Sequence, residues 1–141
     1  MRRIPKEVLD ALSTVPLFSA CSKVELRMIA NLGTEVAVPD GKAITEQGKP
    51  GREFCLIVEG AARCLVDGEQ VATFGPGDFF GEMSLLDRGP RRATIISDGP
   101  TLLLVLDSTE FARLLDSSPS TAKKLLLAFA ARQRANANLQ H

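Results

Sequence analysis

Hydrophobic and polar positions fall into three textures along the chain. Early on, apolar side chains recur every three or four positions: Val8, Leu9 and Leu12, then Val24, Leu26, Met28, Ile29 and Leu32. That period predicts two amphipathic helices, one from Pro5 to Leu12 and a second that Ser19 or Ser22 caps and Gly33 ends. From Gly33 the texture changes to short β-prone runs: Glu35–Val38, Lys42–Glu46, Glu53–Val58, Ala61–Val66, Gln70–Phe74, Ala93–Ser97 and Leu102–Asp107. Turn signals such as Pro39-Asp40-Gly41, Asp67-Gly68 and Asp98-Gly99-Pro100 separate them. Glu59-Gly60 reads as a two-residue turn that makes Glu53–Val58 and Ala61–Val66 a hairpin.

The third texture is helical again. Asp107 or Ser108 caps a helix through Leu115, Asp116-Ser117-Ser118-Pro119 breaks it, and Pro119 suits the first turn of a final helix to about Asn138. The stripe Ala122, Leu125, Phe129, Arg132, Asn136 and Leu139 alternates by three and four, as a packing seam requires. Together these runs predict an α+β fold, an eight-stranded antiparallel β-roll of jelly-roll type with an N-terminal helical segment and two C-terminal helices. One domain is expected over residues 1–141, with helices in 1–32, the roll in 33–107 and the C-terminal helices in 108–138.

Composition narrows the function more than the fold. At 141 residues the chain is large enough to bury a core of its own, with 45% hydrophobic and 24% charged residues. Seventeen basic and seventeen acidic residues cancel, which gives no nucleic-acid footprint and no membrane-seeking surface. The basic start Met1-Arg2-Arg3 lacks the apolar stretch of a signal peptide, and Leu125–Ala131 is too short to span a bilayer. A soluble cytoplasmic protein is the expectation. Cys21, Cys55 and Cys64 form no secreted disulfide framework. The hairpin reading does set Cys55 opposite Cys64, which leaves two readings open: a cross-strand pair, or two small buried thiols.

Candidate chemistry concentrates in residues 79–94, Phe-Phe-Gly-Glu-Met-Ser-Leu-Leu-Asp-Arg-Gly-Pro-Arg-Arg-Ala-Thr. Gly81 and Glu82 open an apolar run long enough for about one helical turn. Gly89-Pro90 ends it and Arg91 follows. Unpaired amides at the start of such a turn favour an anion, and Gly81 lets a ligand approach the backbone. Arg91 would close on the same anion with a charge-assisted contact. Glu82 makes sense beside an anion if it accepts hydrogen bonds from hydroxyls. A phosphate carried on a sugar satisfies both residues. Without that context Arg91 is a surface cation and Glu82 a carboxylate complementing a helix start.

This stretch resembles the phosphate-binding cassette of the cyclic-nucleotide-binding domain family, found in bacterial catabolite activators, protein kinase A regulatory subunits and cyclic-nucleotide-gated channels. The family pattern is Phe-Gly-Glu, small apolar residues, Leu, a short loop, then Pro-Arg-x-Ala-Thr. It is met by Phe80, Gly81, Glu82, Met83, Ser84, Leu85, Pro90, Arg91, Ala93 and Thr94. The resemblance implies that Arg91 holds the cyclic phosphate and that Glu82 accepts the ribose 2′-hydroxyl. Gly81, Glu82, Met83 and Ser84 would add backbone amides, with the Ser84 hydroxyl as a further donor. Arg92 and Ala93 complete the expected ligand-binding set, and Leu85 would relay cassette movement to the C-terminal helices. Arg92 departs from the family, which usually has a small residue there. A long cation either turns outward or crowds the phosphate. The absence of a Thr weakens a cGMP reading and leaves cAMP as the expected ligand. Asn136 lies near the helix positions that reach the base in the catabolite activators, and equally fits a polar register-setting position in a dimer seam.

The expected function is a cyclic-nucleotide sensor without catalysis, cofactor or metal. An enzyme on the same roll would need a histidine cluster, and the one histidine is the terminal His141. No helix-turn-helix segment follows the last helix, so direct DNA binding is not expected. The signal is expected to pass to a separate effector protein, or through a homodimer along the last helix. The alternative is a β-roll that has lost its ligand and serves as an interaction module.

Overall fold

The computed structural model describes residues 6–15, 18–82 and 89–139, with residues 7 and 136–139 described by backbone alone. Two helices precede the roll: α1 (Lys6–Ser13) and α2 (Lys23–Leu32). Ser22 caps α2 in a reciprocal capping box with Glu25, which selects Ser22 over Ser19 and leaves Leu26, Ile29 and Ala30 on the buried face.

Eight strands follow: β1 (Thr34–Val38), β2 (Ala43–Thr45), β3 (Glu53–Glu59), β4 (Ala62–Val66), β5 (Glu69–Phe74), β6 (Phe79–Phe80), β7 (Thr94–Ser97) and β8 (Thr101–Asp107). They form two four-stranded antiparallel sheets, ordered β1-β8-β3-β6 and β2-β7-β4-β5. The roll is therefore the one expected, with β6 supplied by the opening of the cassette itself. Asp67 and Gly68, at φ 53° and 82°, make the tight turn between β4 and β5. Two more helices close the fold, α3 (Ser108–Ser117) and α4 (Pro119–Leu139). Asp107 caps α3 in a second capping box, with Glu110.

One expected pairing is wrong. β3 and β4 are not a hairpin: β3 pairs with β8 and β6, while β4 pairs with β7 and β5. Gly60 is the point of transfer between sheets. It sits at φ 97° so close to the next turn that a Cβ would lie 2.6 Å from the Pro100 carbonyl oxygen. Cys55 consequently stands beside Val105 and Phe80, and Cys64 beside Ala72 and Ile95, so they are not cross-strand neighbours. Both are free thiols, and burial pushes the Cys55 thiol up to about 12.

Alternation along β3 and β8 builds two cores at once. Phe54, Leu56, Val58, Leu104 and Leu106 face the helices, whereas Cys55, Ile57 and Leu103 face the interior of the roll. This explains why β3 reads as a continuous apolar run, since both its faces are covered. The seam of α4 turns inward to the first of these cores. Ala122, Leu125 and Phe129 are buried there, and the Phe129 ring lies 5.4 Å from Phe54, 5.6 Å from Phe79 and 6.5 Å from Phe111. The side chains of Asn136 and Leu139, which continue the predicted stripe, lie outside the described residues.

Candidate functional site

The short pairing of β6 with β3 sets the site. Leu56 is opposite Phe79 and Cys55 opposite Phe80, which sends Phe79 toward the helices and Phe80 into the roll. The next residue, Gly81, reverses the chain at φ 86° and rests against β3. A Cβ on Gly81 would collide with the Glu53 carbonyl oxygen and the Arg91 guanidinium. Only glycine combines that backbone conformation with that closeness. The backbone turns helical at Glu82, a residue only 5% exposed.

Arg91 reaches the same point from another loop. Its backbone is fixed by Arg91 N–H to the Lys49 carbonyl, 2.9 Å, and by Gly48 N–H to its own carbonyl, 2.8 Å. Its Nη1 donates to the Glu53 carbonyl at 2.9 Å, and the guanidinium lies over the bare Cα of Gly51. The whole residue is 8% exposed, and among the described residues it makes no ion pair. A buried guanidinium that only a neutral carbonyl satisfies retains charge for an anion. A cavity of about 390 Å³ opens beside it, between the apolar inner faces of β1, β3 and β8 and the loop carrying Lys49–Gly51.

Glu82 faces α4. Gln133 Nε2 donates to Glu82 Oε1 at 3.1 Å, and Arg132 Nε lies 3.7 Å from the same oxygen. Arg132 is itself held: its Nη1 donates to the Phe79 carbonyl, and its guanidinium lies 4.3 Å from the Phe79 ring centre and 5.6 Å from that of Phe74. Phe74 in turn stacks on Phe80 at 5.9 Å. The last helix and the cassette opening therefore meet where Arg132 and Gln133 approach Glu82, beside the Phe129–Phe79 ring contact.

Of the sequence-predicted site residues, Gly81 and Arg91 come together, and Glu82 follows Gly81 with its side chain on α4. Ala93 packs into the roll interior and its carbonyl accepts from the Thr45 hydroxyl at 3.0 Å. Arg92 differs from Arg91 in burial. It is exposed while Arg91 is buried. Met83, Ser84 and Leu85 lie outside the described residues, as does the side chain of Asn136. Sequence reasoning missed Glu53, Gly51, Arg132 as a partner of Glu82, and Gln133. The Gln133–Glu82 bond joins positions 51 residues apart, and nothing in either neighbourhood announces it.

Comparison with known proteins decides the family. Residues 35–118 match the family described as the cyclic nucleotide-binding domain. The chain belongs to that family. Its fold is similar to the catabolite activator protein of Thermus thermophilus, at 33% identity and a TM-score of 0.79, over 89% of this chain and 61% of that one. This chain thus spans less than two thirds of that protein's length. The regulatory domain of Toxoplasma gondii PKA, solved with cAMP, is similar at 26% identity and a TM-score of 0.72, covering 89% of this chain and 49% of that one. A further solved structure, from work on a cyclic-GMP-dependent signalling pathway that regulates bacterial phytopathogenesis, is similar at 29% identity and a TM-score of 0.74, covering 81% and 94%. The cyclic nucleotide-binding domain is a regulatory family whose ligands are cAMP or cGMP. No described helix is long and apolar enough to cross a membrane.

Proposed function

We propose that this chain is a non-catalytic cyclic-nucleotide sensor of the cytoplasm whose ligand is cAMP. One observation carries the reading: Gly81 brings the buried Arg91 guanidinium against the very turn that ends in the buried Glu82 carboxylate. A cation and a hydroxyl acceptor thereby flank one bare stretch of backbone, which is the chemistry a ribose 3′,5′-cyclic phosphate presents. Arg91 would take the phosphate, Glu82 the ribose 2′-hydroxyl, and Gly81, Met83 and Ser84 would supply amides. Ala93 would line the wall and Asn136 would face the base.

Selectivity follows from what stands after Arg91. Position 92 carries an arginine, which has no hydroxyl or other acceptor to offer a guanine amino group, and this favours cAMP. Reducing surroundings suit the three free thiols. Output would pass through α4, because Glu82 already touches Arg132 and Gln133 on that helix. A ligand that rearranges Glu82 changes the hold on α4, with Leu85 as relay, and so shifts the balance between two helix arrangements. The reader of that change is a separate effector protein or a second copy of the chain.

Calorimetric titration with cAMP and cGMP tests this. Micromolar binding of cAMP, about −8 kcal/mol, with weaker binding of cGMP is the expected result. No heat with either nucleotide would favour a β-roll that serves only as an interaction module.

A further inference from the structure

We infer that Gln133 competes with the ribose for Glu82, and so sets how strongly affinity depends on the sugar's 2′-hydroxyl; this rests on the cyclic-nucleotide reading above. Gln133 Nε2 donates to Glu82 Oε1, the same oxygen that Arg132 Nε approaches. Glu82 has little freedom to present itself elsewhere. It is 5% exposed, and Gly81 at φ 86° and the helical turn at residue 82 fix where its side chain begins.

The two α4 donors are not equivalent. Arg132 has independent anchors, the Phe79 carbonyl and the rings of Phe79 and Phe74, and stays in place whatever Glu82 does. Gln133 is neutral, half-buried, and among the described residues its side chain bonds Glu82 alone. An incoming hydroxyl offers Glu82 the same kind of bond that the amide offers, so the exchange is nearly even. The amide is the partner that leaves. A nucleotide with a 2′-hydroxyl then loses part of its gain to displacing Gln133, whereas one without it leaves the Gln133 bond intact. Gln133 is a positioning residue acting through Glu82, and it discriminates at the sugar.

Titration of cAMP and 2′-deoxy-cAMP against the full chain and its Gln133→Leu and Gln133→Met variants tests this. Both variants should bind cAMP about 3- to 10-fold more tightly than wild type, with 2′-deoxy-cAMP affinity unchanged. A merely structural role for Gln133 would move both ligands together, and an equal shift of both, or weaker cAMP binding, overturns the inference. If wild type binds neither nucleotide, the cyclic-nucleotide reading itself fails and the inference falls with it.

Discussion

Helix α4 is held by one carboxylate at its start and by another farther along, and the two attachments differ in kind. At the start, Glu25 of α2 accepts from the Thr121 hydroxyl, from Lys124 Nζ at 2.9 Å and from the Ser22 backbone at 2.9 Å. Lys124 also donates to the Ala20 carbonyl, and Thr121 is fully buried. Those bonds, led by that from Thr121, pull the Glu25 carboxyl down to about 2. Farther along, among the described residues, Glu82 receives one neutral amide bond and a longer approach from a cation that is anchored elsewhere. The first attachment is saturated by the protein. The second leaves a carboxylate with bonds weak enough to be exchanged. The comparison teaches that one helix can be pinned at its root and responsive farther out, and that the difference lies in hydrogen-bond supply rather than burial.

The largest effect should come from removing what lies between the two attachments. Phe129→Ala empties the ring cluster shared with Phe54, Phe79 and Phe111, and should cost about 3–5 kcal/mol in urea unfolding. A loss below about 1 kcal/mol would mean that α4 does not depend on this packing. Next in size, Gly81→Ala strikes only the responsive end. The strained backbone and the collision with Glu53 and Arg91 should destabilise by about 1–3 kcal/mol and weaken nucleotide binding. Unchanged melting and unchanged affinity would show that the close approach is not needed.

The smallest effect on nucleotide affinity comes from a test of the root alone. Glu25→Gln should lower stability at neutral pH by about 1–3 kcal/mol while leaving cAMP affinity near wild type. Its pH dependence has a definite sign. The folded carboxyl titrates near 2 against an ordinary 4.5, so its contribution is complete above 4.5 and drains away as pH falls toward 2. Urea titrations at pH 6 and pH 3 should therefore show a smaller acid loss in the variant than in wild type. Equal losses would remove Glu25 from the account.

How much of this could be read beforehand depends on range. Both capped helix starts were legible to within two candidates, Ser19 or Ser22 and Asp107 or Ser108, because the signal is local, and the reciprocal pairs Ser22 with Glu25 and Asp107 with Glu110 decide between them. The turn at Asp67-Gly68 was legible for the same reason. Glu59-Gly60 was misread because a short turn signal does not say whether the next strand stays in the same sheet. Gly60 is required by the adjoining Pro100–Thr101 turn, a contact about forty residues away. At the site, residues 79–94 announced Gly81, Glu82 and Arg91 because they lie in one stretch. Arg132 read only as a member of a packing seam, and Gln133 did not read at all, since their meaning comes from Glu82 across the fold.

The most direct test of the site is calorimetric titration of cAMP into the wild-type chain and Arg91→Ala, with folding of the variant checked by circular dichroism. A buried guanidinium that holds the cyclic phosphate predicts a loss of about 2–5 kcal/mol, roughly 30-fold or more in affinity. Wild-type cAMP binding that persists undiminished in a folded Arg91→Ala protein would contradict the assignment.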